Sequence, residues 1–227
     1  MSSLSSTGRL VLLPAVLGVA ILGGTVASKL GRATDAPTTE VVAGGGVDGS
    51  AADKGANLPV RATVQTAPYR VTGHSMESLL DALRAGGPRV DGDIFFGLTS
   101  TSLSYRFAYR ERAGLCETTD ARVELDVTIT LPEWQAPPSA PFELRRDWQR
   151  FAQALRRHEE RHRDLAIEHA HTLRRAVEGL RAPTCDAVAA LAADRAERAQ
   201  AAAEAAHASY DRVTGHGESE GAVWPPR

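Results

Sequence analysis

An α+β fold is predicted for this 227-residue chain, because its hydrophobic period changes part-way along. From Ile94 to Leu131 apolar residues alternate with polar ones, as in strands with one buried face. Beyond about Pro141 they recur at spacings of three and four, as on the buried stripe of a helix. Pro132, Pro137, Pro138 and Pro141 separate the two regimes.

Composition narrows the classes. With 43% hydrophobic and 24% charged residues, disorder over the full length is excluded. A formal charge of -2 offers no basic field for nucleic acid, so no nucleic-acid partner is expected. Two cysteines, Cys116 and Cys185, are too few for a thiolate zinc ribbon or an iron-sulfur cluster and leave room for one disulfide.

Along the chain, Arg9 precedes an uncharged run from Leu10 to Ala27, and Lys29 and Arg32 follow it. Residues 1–27 therefore read as an export signal or an N-terminal membrane anchor, with residues 10–27 as the membrane tether. Pro14 and the Gly23-Gly24 pair weaken the run as a permanent helix, and Thr25, Ala27 and Ser28 are small enough for cleavage. The expected location is periplasmic, secreted, or anchored to the outer face of the inner membrane. Residues 28–66, rich in glycine, alanine and threonine and without a sustained apolar period, read as a flexible linker. The remaining 67–227 is long enough to bury roughly 70% of its unfolded surface in one core.

Within that domain Tyr69-Arg70-Val71-Thr72 reads as a short strand, and Ser75 caps a helix that Gly86-Gly87-Pro88 ends. Leu103, Tyr105, Phe107 and Tyr109 form one alternating set, and Val123 to Leu131 another, so two or three antiparallel strands are expected. A strand near 121–131 is also the expected edge for pairing with an extended substrate. A long helix from about Pro141 to Arg181 carries the stripe Leu144, Trp148, Phe151, Leu155, Leu165, Leu173, Ala176 and Leu180. A second, alanine-rich helix is capped by Thr184 and runs to about Tyr210.

The stripe of the long helix has a gap that histidines fill. His158, His162 and His169 continue the spacing of Leu155 and Leu165, which puts imidazoles on the buried face, where they need partners. His158-Glu159-Glu160-Arg161-His162 is H-E-x-x-H, and residues four apart on a helix lie one above the other, so both rings can reach one Zn²⁺. Glu159, about 100° around the helix, stays off the ion and is placed to act as general base toward a water there. With seven histidines in the chain, roughly 0.01 such matches are expected by chance, before any requirement for a helix. The bland alternative is a pair of buried histidines satisfied by ordinary hydrogen bonds. The charged residues between them read as a solvated helix face.

A catalytic zinc site needs a third protein ligand. His169 lies about 10 Å too far along the helix, and Glu168 would need a glycine turn where Leu165 stands. If the second helix folds back antiparallel, position 208 opposes His158 and position 204 opposes His162, so the segment 210–217 arrives at the ion. His216, between Gly215 and Gly217, is the first choice for third ligand, with Asp211 as the alternative in that role or as an outer hydrogen-bond partner. Tyr210 or His207 are candidates for oxyanion stabilisation.

These motifs together, from Tyr69 to Gly86-Gly87-Pro88, through a cysteine before the strand that ends at Leu131-Pro132, Trp148 and Phe151 ahead of H-E-x-x-H, and a cysteine opening the last helix, to Tyr210-Asp211-x-x-Thr214-x-His216-Gly217, resemble the bacterial domain of unknown function 922 family. The resemblance covers about 67–224, with Glu220 before Gly221 where the family pattern often carries a glutamine. It implies a secreted zinc-dependent protease with a zincin-like fold: a short antiparallel sheet packed on the H-E-x-x-H helix and a C-terminal helix. A Cys116–Cys185 bridge fits this picture, with two buried free thiols as the alternative. The expected function is a zinc metallopeptidase acting on a peptide or protein, with zinc on His158, His162 and His216 and Glu159 as base. The competing expectation is a non-catalytic envelope binding module in which zinc clamps the two helices together.

Overall fold

Regular alternation makes the two longest strands of this protein. The computed structural model describes residues 9–11, 17–20, 39–42 and 60–226. Strand β1 (Arg9–Val11), β2 (Leu17–Ala20) and β3 (Thr39–Val42) are short, and β4 (Val60–Val71) opens the domain. Helix α1 (Met76–Gly86) and a small hairpin of β5 (Arg89–Val90) and β6 (Asp93–Ile94) lead into β7 (Leu98–Arg112) and β8 (Leu115–Trp134). Helix α2 (Phe142–Val177), β9 (Arg181–Ala182) and α3 (Cys185–Thr214) follow, and a 3₁₀ turn at Glu218–Glu220 comes near the end. The fold is thus α+β, with three helices on a mixed sheet. The readings of 1–27 as export signal or anchor and of most of 28–66 as linker fall on residues that lie largely outside those described. No helix among the described residues is long and apolar enough to cross a membrane.

The sheet runs β1-β7-β8-β4-β3, with β2 also on β7 and β9 also on β8. Strands β7 and β8 pair antiparallel through a tight turn at Ala113-Gly114, both with positive φ, as two-residue hairpin loops require. Strand β4 pairs with β8 in parallel, so the sheet is mixed rather than purely antiparallel. Two expectations are corrected here. The ordered strand begins at Val60, inside the segment read as linker, because Val60, Ala62 and Val64 alternate into the core. Residues 121–131 form no open edge: β8 is covered on one side by β7 and on the other by β4, so its backbone has nothing left for an extended substrate.

One face of β8, with Val123, Leu125, Val127, Ile129 and Leu131, is buried under the helices, and α2 meets it with Leu144, Trp148, Phe151, Leu155, Ala166, Ala170, Leu173 and Val177. Val177 takes the core position expected of Ala176. Local chemistry sets the helix ends. Ser75 and Ser78 form a reciprocal capping box on α1, and the Thr184 hydroxyl accepts from the Ala187 amide at the start of α3. At the end of α2 the Thr118 hydroxyl of β8 donates to the Val177 carbonyl (2.8 Å) and accepts from the Leu180 amide (2.8 Å), so the helix terminus is pinned to the sheet.

The Cys116–Cys185 disulfide is present, joining β8 to the first turn of α3. With 69 residues of sequence separation it restricts the unfolded chain by about 4 kcal/mol in chain-entropy terms. Cys185→Ser is expected to lower the melting temperature by roughly 10 °C, measured by circular dichroism without reductant. A shift below a few degrees would show that the bridge constrains little.

Candidate metal centre

His158, Glu159 and His162 all lie on α2 and are buried, at 3%, 5% and 4% exposure. Helix α3 folds back antiparallel on α2, as expected, but the facing residues are displaced. His162 meets His207, Nδ1 to Nδ1 at 2.9 Å, rather than residue 204. Side chains on both helices lean toward their own N-termini, so residues that touch lie about one position further along each helix than backbones that face, which accounts for part of the shift. The displacement brings Asp211 to both histidines. Its Oδ1 lies 2.9 Å from His162 Nε2 and 3.3 Å from His158 Nε2.

His158, His162 and Asp211 each offer one donor atom, all within 4.8 Å of one another, and could hold a metal ion. The hydrogen-bonding pattern fits that role. The other ring nitrogen of each histidine is engaged from outside, His158 Nδ1 by Glu220 Oε2 at 2.9 Å and His162 Nδ1 by His207, so both Nε2 atoms turn inward. Asp211 Oδ2 is buried without a hydrogen-bond partner, an orphan that a cation would satisfy. Two imidazoles and a carboxylate suit a divalent transition metal.

Electrostatics follow from this packing. Burial works against ionisation of Asp211, but hydrogen bonds from His158 and His162 outweigh it and hold the carboxyl below its ordinary range. Burial also opposes charge on His158, and its contacts with Asp211 and Glu220 reverse the balance and raise its pKa. Burial, with the neighbouring His162 and His169, lowers His207 to about 4, so it is a neutral ring that can accept the Nδ1 proton of His162. Burial raises the Glu159 carboxyl, opposed by the Thr99 hydroxyl, which donates to Oε2 at 2.8 Å.

Glu159, His158, His162, Asp211 and His216 line one cavity of about 250 Å³, roofed by Ile94 to Thr99 and closed at one side by Ala222. Gly97 makes room for the carboxylate, since a Cβ there would lie 2.7 Å from Glu159 Oε1. His216, the first-choice ligand, sits at the rim. Its side chain is 58% exposed and its Nδ1 is 3.8 Å from Asp211 Oδ1, in a left-handed turn just past the end of α3. Asp211, the alternative, is the residue inside the triad. Glu168 is exposed and paired with Arg161 at 3.0 Å, and His169 lies away from the triad beside His207. Neither candidate for oxyanion stabilisation points at the cavity: His207 stands behind His162, and the Tyr210 hydroxyl donates to Glu220 at 3.0 Å. Thr99 and Gly97 were missed as site residues, because nothing local in a strand-entry sequence links them to a helix sixty residues away.

Searches of curated proteins and of solved structures return no match. The sequence model of the family described as bacterial protein of unknown function, DUF922, matches residues 66–217, from β4 through Asp211 and His216. Since that span is most of the chain and holds all three residues of the triad, the protein belongs to the DUF922 family.

Proposed function

We propose that this domain is a zincin-like, zinc-dependent hydrolase of peptide bonds that works outside the cytoplasm. The observation that carries the reading is a buried His158/His162/Asp211 group with the Glu159 carboxylate beside it in the same cavity. His158 Nε2, His162 Nε2 and the Asp211 carboxylate would hold the ion. When bound, zinc supplies Lewis acidity toward a substrate carbonyl and lowers the pKa of a nearby water. The protein's own residues do the rest. Thr99 fixes Oε2 of Glu159, which leaves Oε1 to take a proton from the attacking water and pass it to the leaving amine. Burial raises its pKa above the ordinary carboxylate range, which strengthens it as a proton acceptor. A purely structural site has no use for such a carboxylate on a cavity wall. Export rests on the apolar run before Lys29 and agrees with a disulfide, which persists in oxidising compartments.

The test is metal removal and return. The full chain, incubated with an unfolded polypeptide such as reduced and alkylated albumin, is expected to cut it, to lose the activity on treatment with 1,10-phenanthroline, and to regain it on adding zinc. Cleavage that survives chelation would assign the activity elsewhere. Failure of the wild-type chain to take up zinc would end the metal reading.

A further inference from the structure

The family match ends at residue 217, yet the next few residues touch the candidate metal centre. We propose that the C-terminal turn 217–224 is a working part of that centre, a latch in which Glu220 is the positioning residue for the His158 ring and Trp224 is the anchor that holds Glu220 in place. The inference rests on His158 being a metal ligand.

Three observations converge on it. First, the His158 ring is held by its edge and by its face. Glu220 Oε2 lies 2.9 Å from Nδ1, and the Tyr210 ring stacks on the imidazole at 4.9 Å and 19° while its hydroxyl donates to both carboxylate oxygens of Glu220 at 3.0 Å. A carboxylate that accepts from Nδ1–H fixes the tautomer with the Nε2 lone pair toward the ion and makes that nitrogen a better donor. Second, the turn is built for close approach. Gly217 (φ 85°) and Gly221 (φ 91°) flank the 3₁₀ turn in conformations that favour glycine, and a Cβ on Gly217 would come within 3.0 Å of His158 Cγ. Third, the turn is tied down well away from the ion. Trp224 is 4% exposed, its indole donates to the Met76 carbonyl of α1 at 3.1 Å, and it packs at 5.5 Å on both Trp148 and Phe151 of α2. Those two rings lie two to three turns before His158 on the same helix, so docking of the tail and orientation of the ligand share one rigid support. Glu220 itself is partly exposed and fills no core space, which leaves its contacts with His158 and Tyr210 as its role.

The experiment measures zinc affinity of the full chain by competition with a chromogenic chelator. Glu220→Ala is expected to bind zinc about 10- to 100-fold more weakly than wild type, with the melting temperature of the metal-free chain little changed. Glu220→Gln, whose amide oxygen still accepts from Nδ1–H, restores part of the loss. Trp224→Ala, which touches neither the ring nor a donor atom, weakens binding by a comparable factor, and Ser219→Ala, exposed in the same turn, binds as wild type. In the metal-free chain, proton NMR reads the bond directly, as a slowly exchanging Nδ1–H of His158 that Glu220→Ala loses. A Glu220→Ala chain with wild-type zinc affinity and wild-type exchange overturns the latch, and a folded Trp224→Ala chain with wild-type affinity overturns the anchor. If wild type binds no zinc, the metal reading falls with the ligand role of His158, and the latch falls as a part of a metal centre even where the NMR still shows the bond.

Discussion

Glu159→Gln is expected to lower the rate of peptide hydrolysis by about 10²- to 10⁴-fold, the range that one positioned general base contributes. The substitution keeps the size of the side chain and lets it still accept from the Thr99 hydroxyl, so the fold and the roof at Gly97 are preserved. What it removes is the basic oxygen. Zinc content should therefore match wild type, and the loss should fall on kcat rather than KM, since in the proposed role Glu159 would act on a proton in flight and bind no substrate. Equal turnover by the two proteins would eliminate Glu159 as the base. Loss of zinc in the variant would make it a ligand instead.

Asp211→Ala is expected to abolish zinc retention through a chelating column, with an affinity loss well beyond the roughly 100-fold that follows loss of an outer hydrogen-bond partner. His216→Ala is expected to keep the ion, with affinity within about 10-fold of wild type. The difference comes from placement. Asp211 is buried with one oxygen on both histidines and the other without a partner, whereas the His216 side chain is largely in solvent. Zinc lost in His216→Ala and kept in Asp211→Ala would reverse the two assignments and make His216 the third ligand. Retention in both would leave His158 and His162 as the whole protein contribution.

The sequence by itself determined what repeats locally. Period two in Leu103 to Tyr109 and Val123 to Leu131 became β7 and β8, and the three-and-four stripe from Leu144 became α2. Ser75 and Thr184 read as caps because capping is chemistry within four residues. The spacing of His158 and His162 put both rings on one buried face, since helix geometry alone dictates it. Tertiary structure decided everything that depends on how separate elements meet. The parallel pairing of β4 with β8 closes the edge once expected to be open, and no residue within either strand encodes that neighbour. Asp211 rather than His216 lies against both His158 and His162 because α2 and α3 meet about three residues away from the pairing counted from the turn, an offset that no motif marks. Thr99, Gly97, Glu220 and Trp224 are ordinary residues in their local sequence. They matter because the sheet and the C-terminal turn bring them from sixty or more residues away against one helix, and contacts of that range leave no periodic mark on the chain.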